Sequence, residues 1–535
     1  MYVDLPAVIS LRTAPRHSSP PRRAADPTRF LPPAPRRYRY GRADVISTAV
    51  IGVLALVLRL LGLAKPTAQG TPVFDEKHYV PQAWDMVRSA SDPILGGIES
   101  NPGYGLVVHP PLGKQLIAFG EMLFGYSPLG WRLMTAIFGT LTVLAIMELA
   151  RRLSHSWLVA LFAGIIALFD GVLLVASKFG MLDIFQVFFI VAAALALALD
   201  HEQMRHRLHA ACVHGLSMGA LGPRLGFRWW RFAAGVLLGC ALAVKWSGLY
   251  YIAFFGLMSV FSDLALRRRY GAARPVLGAL ARDTLPALAS LVAVPVAVYA
   301  WSWRAWFASE TGVFRQAAVD GSIEQGSWLH ALPDALASWI YYHQSVLDFH
   351  ASLTSSAGHS HPWDSKPWSW LAATRPILYY SSTDIPCANT TCRSMIYLFG
   401  TPAIWWLTVP VVAWALWRLV IGRDRRMLIP VVAFAAGFLP WLAAYDRQMY
   451  FFYATALVPF TIVLLAMALG SLVGRGPRLG ITRLIAREPV ILGSLLVIAY
   501  LSYVVASFLY FLPLFYGLIV PDWYFNELMW LESWR

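Results

Sequence analysis

Residues 45–64 read VISTAVIGVLALVLRLLGLA, a run of 20 residues in which Arg59 is the single charged side chain. A helix of about 20 apolar residues is long enough to cross the ~30 Å hydrocarbon core of a bilayer. Similar runs recur along the chain and predict eleven membrane spans. The predicted spans cover residues 45–64, 131–149, 157–175, 181–199, 232–244, 248–264, 284–302, 397–417, 427–444, 450–472 and 489–512.

The composition agrees with a membrane protein. Of the 535 residues, 58% are hydrophobic and 14% are charged, whereas a soluble domain carries about 25% charged residues. The net charge of +15 would also suit a protein that binds nucleic acid. The arginines, however, concentrate in alternate loops between the spans, as the positive-inside rule requires. The charge therefore reflects membrane topology, and we expect no nucleic-acid partner.

The alternation of arginine-rich and acidic loops also predicts an orientation. The N-terminus lies in the cytoplasm, and the odd number of spans puts the C-terminus outside. Two outer segments, residues 65–130 and 303–396, are long enough to hold an active site. Within the first, residues 111–125 have apolar side chains at helical spacing and are expected to lie along the membrane surface.

These features divide the chain into four regions. Residues 1–44 are rich in Arg and Pro and are expected to form a disordered basic cytoplasmic arm. No cleavage site follows the first apolar run, so this run should remain as an uncleaved anchor. Residues 45–302 form a membrane core that carries the first outer segment, residues 303–396 form a large outer loop, and residues 397–535 form the C-terminal spans.

The first outer segment opens with two adjacent carboxylates, Asp75 and Glu76, shortly after the first span. Such a pair can deprotonate a substrate hydroxyl or bind a metal ion. Neighbouring side chains on a helix point about 100° apart, so we expect the two groups to divide the work. An isolated Asp-Glu pair is usually just solvated, and the accompanying motifs decide its interpretation.

Four motifs accompany the pair: His109-Pro-Pro-Leu-Gly-Lys114, Trp131-Arg132, Leu182-Asp183 and Lys245-Trp-Ser-Gly248. Together they resemble the protein O-mannosyltransferase family, which are membrane glycosyltransferases of the GT-C class. The resemblance runs from about Val45 to about Phe460. Two departures are clear. Lys178 and Met181 replace an Arg and a Leu of the family motif before Asp183, and the large outer loop is too short for the soluble repeat domain of eukaryotic members, as in the actinobacterial branch.

The resemblance implies an all-α polytopic membrane protein of the GT-C fold, with about eleven transmembrane helices and two long extracytoplasmic loops. It implies an enzyme that transfers mannose from polyprenyl-phosphate-mannose to Ser or Thr hydroxyls of exported proteins, by single displacement with inversion. The protein would lie in a bacterial plasma membrane with its active site outside, and its acceptors would come from the protein-export machinery.

The family match also implies roles for individual residues. Asp75 would be the general base and Glu76 its near partner. Because a phosphate leaves without being protonated, one carboxylate and a set of cations suffice, and the planar guanidinium of Arg132 is the first candidate for the donor phosphate. The secondary candidates for this phosphate are Lys178, Lys245, Arg59 and Arg447. The candidates for other substrate contacts are His109, Lys114, Asp183, His343, His350, His361 and Trp363.

The histidines and cysteines are further candidates, for a metal site and for a disulfide. His359 and His361 are two residues apart, which is not the spacing of common zinc sites, so no metal ligands are predicted. A divalent cation, Mg²⁺ or Mn²⁺, beside the acidic residues is left open, and no cofactor is assigned. Cys387 and Cys392 lie close together in the large loop and should form a disulfide if that loop faces an oxidising compartment, whereas Cys212 should remain a thiol.

Two alternative functions stay open. A related GT-C enzyme could act on a lipid or glycan acceptor, and only the family motifs argue against this. A secondary transporter would be a different class of protein. Transporters tend to have repeated halves and a site at the membrane midplane, whereas the polar candidates here cluster in two outer segments of unequal length.

Overall fold

The computed structural model describes residues 32–90, 92, 94–99, 107–214, 219–387, 390–482 and 489–535. Residues 1–31 of the predicted basic arm lie outside this part of the chain. The first helix begins at Arg42, slightly before the predicted start of the first span. Its N-terminus is organised by Asp44, whose carboxylate accepts a hydrogen bond from the backbone N–H of Gly41 at 2.9 Å.

The first half of the described chain is helical. Its helices are α1 (Arg42–Leu60), α2 (Glu76–Ser89), α3 (Leu112–Phe124), α4 (Pro128–Ser154), α5 (Trp157–Leu168), α6 (Gly171–Ala176), α7 (Asp183–Val213), α8 (Trp229–Val244), α9 (Gly248–Arg269), α10 (Pro275–Ala279), α11 (Leu285–Leu288), α12 (Val294–Ser302) and α13 (Arg304–Ala308). Short π-helical turns join α10, α11 and α12 into one continuous helix, Pro275–Ser302.

The second half combines helices with short strands. The helices are α14 (Asp334–Ser352), α15 (Pro367–Trp370), α16 (Pro402–Trp405), α17 (Thr408–Val420), α18 (Leu428–Ala443), α19 (Val458–Leu472), α20 (Leu492–Tyr510), α21 (Leu512–Tyr516) and α22 (Asp522–Leu528). The strands are β1 (Ile377–Cys387), β2 (Thr390–Leu398), β3 (Arg478–Thr482), β4 (Pro489–Ile491) and β5 (Val520–Pro521).

The helices agree with the predicted spans. Within the described residues, eight helices are long and apolar enough to cross a membrane, and three shorter apolar helices accompany them. The shorter ones are α5, α8 and α19. Each of these helices overlaps one of the predicted spans, so the chain is a polytopic, mainly helical membrane protein.

The span predicted over residues 157–175 is broken. Its helix ends at Leu168 and a new one begins at Gly171, because Asp170 caps the second helix by accepting a hydrogen bond from the N–H of Leu173 at 2.9 Å. The other oxygen of Asp170 accepts from the indole of Trp405 at 2.8 Å. A buried Asp in an apolar segment thus ends one helix and begins the next.

The large loop contains a small sheet that the all-helical prediction lacked. Strands β1, β2 and β5 pair in that order, and both pairings are antiparallel. A disulfide joins Cys387, the last residue of β1, to Cys392 in β2, and their Cα atoms are 5.8 Å apart. Cys212 and Cys240 are free thiols. The sheet ties the large loop to the C-terminal segment.

Candidate active site

Glu76 is held in a buried ion pair at the start of α2. One carboxylate oxygen accepts from Nε of Arg132 and the other from its Nη2, both at 2.7 Å. The backbone N–H groups of Gly180 and Val73 also donate to this carboxylate, at 2.7 and 3.2 Å. The remaining guanidinium nitrogen of Arg132 donates to the carbonyl of Leu63 at 3.1 Å.

This pairing changes the predicted role of Arg132. Both side chains are fully buried, and neither lines the cavity described below. A guanidinium whose nitrogens are all engaged by a carboxylate and a backbone carbonyl has no free edge for a phosphate. Arg132 instead fixes Glu76, and Glu76 in turn fixes the beginning of α2. Both residues therefore position the site rather than line it.

Asp75 immediately precedes α2 and faces a cavity of about 870 Å³. The cavity is bordered by α2, α7, α9, α14 and the segment between α18 and α19. Burial raises the pKa of the Asp75 carboxyl, electrostatic interactions with His78 and Lys245 lower it, and the nearby carboxylate of Asp183 raises it further. The net shift is upward, which makes Asp75 a stronger base than an exposed aspartate.

The structure brings together seven of the predicted site residues around this cavity. These are Asp75, His109, Asp183, Lys245, His343, His350 and Arg447. They come from segments that are up to several hundred residues apart in the chain, and the rest of the wall is largely aromatic and aliphatic. The cavity thus combines a polar, cationic part with an apolar part.

Lys245 and Asp183 form an ion pair on one wall. Nζ of Lys245 lies 2.8 Å from one oxygen of Asp183 and 5.1 Å from the ring centre of Phe452. The second oxygen of Asp183 has no hydrogen-bond partner among the described residues. Asp183 is the first residue of α7 and Lys245 directly follows the last residue of α8, so the pair also ties the ends of two helices to the cavity.

Arg447 contributes the second cation. Its Nη2 donates to Nδ1 of His350 at 3.0 Å, and its guanidinium lies 5.8 Å from the ring centre of Trp441. Burial and the charge of Arg447 lower the pKa of His350 to about 4, so His350 is neutral near pH 7 and can accept this bond. The N–H of Gln448 donates to the carbonyl of Leu353 at 2.9 Å. The large loop therefore holds Arg447 in place.

His343 anchors an aromatic wall. Its Nδ1 lies 2.7 Å from the carbonyl of Trp339, which can only accept, so Nε2 accepts from the hydroxyl of Tyr299 at 2.6 Å. The indole of Trp246 donates to the same hydroxyl at 3.0 Å and stacks on His343 with ring centres 5.5 Å apart. Because these polar groups satisfy one another, the wall offers rigid ring faces. His109 completes this wall, with its ring centre 6.1 Å from that of His350. Burial keeps the pKa of His109 well below its usual value.

Three predicted cation sites lie away from the cavity. Lys178 donates to the carbonyl of Leu61 and lies over the ring of Tyr516, 3.9 Å from its centre. Lys114 is buried in an ion pair with Glu99. Arg59 is also fully buried, with Nη1 donating to the carbonyl of Ala55 at 3.1 Å. These cations face the protein interior, so the geometry does not support their predicted substrate contacts.

His361 and Trp363 also lie outside the cavity lining. Nδ1 of His361 accepts from the N–H of Trp363 at 3.1 Å, which closes a turn in the large loop. The His361 ring packs on Tyr450, with ring centres 5.1 Å apart, and Trp363 packs on Tyr397 at 5.7 Å. Tyr450 lines the cavity. His361 therefore supports the cavity wall from behind through Tyr450, whereas Trp363 packs on a residue outside the lining.

Gln186 is a cavity residue that the sequence reasoning missed. Its amide nitrogen donates to the carbonyl of Lys245 at 2.9 Å, and its oxygen accepts from the hydroxyl of Ser247 at 3.1 Å. It therefore fixes the turn that carries Lys245. Gln186 follows Asp183 by three positions on α7, the spacing that puts two side chains on one helix face, and that spacing was the available signal. For Tyr299 we see no comparable signal.

The carboxylates of the cavity are the candidate ligands for a divalent cation. Within the described ranges no three His, Cys, Asp or Glu side chains are grouped so that they could hold a metal ion. Asp75 and Asp183 are the two carboxylates on the cavity wall, and Lys245 already engages one oxygen of Asp183. These residues do not form a complete ligand set for Mg²⁺ or Mn²⁺.

Comparison with known proteins identifies the family of the chain. Residues 127–307 match a family model described as dolichyl-phosphate-mannose-protein mannosyltransferase. Residues 335–534 match a model described as the C-terminal four-transmembrane region of protein O-mannosyltransferase. The polyprenol-phosphate-mannose–protein mannosyltransferase of Corynebacterium glutamicum is 64% identical over 509 residues, which are 94% of this chain and 96% of that protein. The enzyme of the same name from Mycobacterium tuberculosis is 45% identical over 496 residues, 92% of each chain.

The fold has a solved counterpart. A chain of the Saccharomyces cerevisiae protein O-mannosyltransferase Pmt1-Pmt2 complex, determined with bound sugar donor, superposes with a TM-score of 0.69 at 16% identity. The match covers 93% of both chains, and at this identity it concerns the GT-C fold alone. The family assignment rests on the closely related bacterial sequences, which align over nearly their full length. The chain belongs to the protein O-mannosyltransferase family.

Proposed function

We propose that this protein transfers mannose from a polyprenyl-phosphate-mannose to a Ser or Thr hydroxyl of an exported polypeptide. One observation carries the proposal. The carboxylate of Asp75 shares a single cavity with two cations, Lys245 and Arg447. Glycosyl transfer from a lipid phosphate needs one base on the acceptor side and positive charge on the phosphate side. The relatives that align over the whole chain carry the names of enzymes for this reaction.

The proposed reaction is a single displacement. The acceptor oxygen attacks the anomeric carbon of mannose while the bond from that carbon to the phosphate oxygen breaks. The bonding electrons leave with the phosphate, and the hydroxyl proton passes to Asp75. Attack opposite to the leaving group inverts the anomeric centre. The raised pKa of the Asp75 carboxyl brings it nearer to the working pH, where a general base is most effective.

The phosphate would bind to Arg447 and Lys245. The guanidinium of Arg447 matches phosphate geometry, and its Nε has no hydrogen-bond partner among the described residues. Lys245 would share its charge between the phosphate and Asp183. This assignment replaces Arg132, whose hydrogen-bonding groups are occupied by Glu76 and a carbonyl.

The apolar part of the cavity suits the lipid of the donor. Its aliphatic and aromatic lining includes Val187, Leu242, Leu249 and Tyr250, at the ends of helices that cross the membrane. We assign this part to the first isoprene units of the polyprenyl chain. The ring faces of Trp246 and His343 would pack against the apolar face of the sugar.

The proposed location is the outer face of a bacterial plasma membrane, with the N-terminus inside and the C-terminus outside. The arginine distribution supports this orientation. The disulfide between Cys387 and Cys392 also supports it, because disulfides persist in oxidising compartments. Acceptors would then reach the cavity as unfolded chains emerging from the export machinery.

A direct test uses the purified chain in detergent with radiolabelled polyprenyl-phosphate-mannose and a Ser/Thr-rich peptide. We expect labelled peptide and free lipid phosphate in equal amounts, with the mannose in inverted configuration. Label that moves to an added lipid or glycan acceptor but not to peptide would contradict the proposed acceptor. Because detergent micelles sustain no ion gradient, transfer in this assay also argues against a transporter, and complete absence of transfer would overturn the proposal.

A further inference from the structure

The end of α9 that is farther from the cavity carries a cluster of arginines. Ser247 and Leu249, at the start of this helix, line the cavity. The helix has 22 residues and is therefore about 33 Å long, close to the ~30 Å thickness of a bilayer core. Its last turn, which contains Arg268 and Arg269, is thus at the opposite face of the membrane from the cavity.

A basic groove of about 810 Å³ opens at this end, between α9 and the loop that joins α17 to α18. Its charged residues are Arg268, Arg269, Arg423, Arg425 and Asp424. The four arginines are exposed, and in the part of the chain that the structure describes their guanidinium groups make no ion pair with an Asp or Glu. The groove therefore has a large uncompensated positive charge.

The single carboxylate in the groove does not offset this charge. Asp424 accepts from Nη2 of Arg418 at 2.8 Å and from Nε and Nη2 of Arg426 at 2.8 and 2.7 Å. Neither of these arginines lines the groove. On α9 itself, Asp263 is buried on the opposite helix face and binds Arg228 at 2.6 Å. Both nearby carboxylates therefore pair with arginines outside the groove.

An apolar stripe leads from the middle of α9 into the groove. Leu257, Phe261, Leu264 and Arg268 are spaced by four, three and four residues, which puts them on one face of the helix. Leu257 and Phe261 are 61% and 64% exposed, so this face is not covered by the protein. An acyl chain that lies along the stripe would bring its headgroup to the arginines.

We propose that this groove binds a phosphate-bearing anionic membrane lipid, with the headgroup on the four arginines and an acyl chain along Leu257 and Phe261. Charge complementarity selects the headgroup, because guanidinium groups suit phosphate. The exposed stripe, continuous with the membrane-spanning part of α9, selects a lipid over a free phosphate ion. Basic residues at a membrane surface contribute about 1 kcal/mol each to the binding of anionic lipids. The site is separate from the proposed transfer reaction.

The test measures lipid binding to the full chain, purified in an uncharged detergent, by native mass spectrometry with phosphatidylglycerol as the probe. Phosphatidylcholine and inorganic phosphate are the comparison ligands. R268Q/R423Q removes two groove charges and should weaken phosphatidylglycerol binding about 30-fold. The matched control, R224Q/R274Q, removes two exposed arginines and should bind like the wild type. Arg274 follows the last residue of α9 by five positions, and Arg224 adjoins Pro223, whose carbonyl accepts from Arg267 of α9. Phe261→Ala should weaken the binding of phosphatidylglycerol but not that of inorganic phosphate.

Several outcomes would overturn the site. Equal losses in the groove and control variants would mean that only total charge matters. Equal affinity for phosphatidylcholine would remove the role of the arginines, and binding of inorganic phosphate as tight as that of the lipid would remove the role of the stripe. If R268Q/R423Q does not fold, R269Q/R425Q tests the same groove. Retained lipid affinity in a folded groove variant would contradict the proposal.

Discussion

Asp75 and Glu76 are adjacent in the chain and belong to two very different regions. Glu76 lies in a dry layer between α2 and α4, where four hydrogen bonds occupy its carboxylate. Asp75 faces a cavity of about 870 Å³ together with Lys245. The two side chains point in different directions because successive residues of a helix are rotated by about 100°. The comparison shows that two adjacent carboxylates can have different roles: Glu76 stabilises the structure, and Asp75 is available for chemistry.

The two regions also treat charge differently. In the dry layer Arg132 and Glu76 neutralise each other, which is the condition under which a buried pair is tolerated. In the cavity the charges are incompletely matched. Among the described residues, one oxygen of Asp183 has no hydrogen-bond partner, and the one side chain that accepts a hydrogen bond from Arg447 is the neutral His350. The phosphate of the donor and the hydroxyl of the acceptor would complete this set.

The largest expected effect is on turnover when the cavity carboxylate is removed. Asp75→Asn keeps the shape of the side chain but cannot accept a proton, and general-base assistance is typically worth about 10²–10⁴-fold. We expect transfer of radiolabelled mannose to peptide to fall by about this factor, with little change in the Kd for the donor. Asp85→Asn, on the same helix and in a partly exposed pair with Arg88, is the control and should retain activity. Near-normal turnover in Asp75→Asn would eliminate it as the base.

The second prediction concerns stability in the dry layer. Glu76→Gln leaves the guanidinium of Arg132 buried without its counter-charge, and breaking a buried pair in this way costs about 3–5 kcal/mol. The free energy of unfolding in detergent should fall by about this amount. Disrupting the partly exposed pair of Asp85 and Arg88 should cost less than about 1 kcal/mol.

A double variant distinguishes a structural pair from a phosphate site. Glu76→Gln/Arg132→Met removes both charges of the pair, so much of the lost stability should return. If single changes at Arg132 instead leave stability intact and raise the KM for the donor, this arginine binds phosphate and the division between the two regions is wrong.

The third prediction concerns the cation on the cavity side. Arg447→Lys keeps the charge but loses the planar fork and the bond to His350. Hydrogen bonds to charged groups contribute about 1.5–3 kcal/mol, so the KM for the donor should rise about 10- to 100-fold. The melting temperature should change little because Arg447 is only partly buried. An unchanged KM would show that the phosphate binds elsewhere.

Much of the fold was predictable from sequence because apolar runs and arginine-rich loops report directly on membrane spans. The break at Asp170 was also readable in principle, since Asp is a strong helix cap. The sheet was less visible, because β1 and β2 stand in a loop full of aromatic residues that also suit a membrane interface. Strand pairing also depends on segments distant in the chain, such as β5 beside β2, and a local sequence pattern does not identify them.

The site was predictable in content but not in arrangement. Asp75, Lys245 and Arg447 were all candidates, and each lines the cavity. Arg132 was the first candidate for the donor phosphate, because its planar guanidinium suits phosphate and it lies near the start of α4. The contact that distinguishes it is with Glu76, 56 residues away in the chain, and it depends on how the fold brings the first turns of α2 and α4 together. A single sequence gives the charge of a residue, whereas its partner is set by tertiary packing.

The smallest predicted effect is a gain in stability when Asp75 loses its charge. Burial raises the pKa of this carboxyl in the folded protein above that in the unfolded chain, which is about 3.9. Between the two pKa values the folded state binds more protons than the unfolded state, so the free energy of unfolding falls as the pH rises through this window. The loss is complete above the folded-state pKa, and it is absent at a pH below the unfolded value.

Asp75→Asn removes this loss. At neutral pH the variant should be more stable than the wild type by about 0.5–2 kcal/mol, the usual range of single stabilising changes, and the difference should vanish toward pH 3. Thermal unfolding at several pH values measures it. Glu76→Gln should show the opposite sign at neutral pH, because it breaks a satisfied pair. If Asp75→Asn were also destabilised at neutral pH, its attraction to Lys245 and His78 would outweigh burial, and the cavity would be a second structural charge cluster rather than a site prepared for substrate.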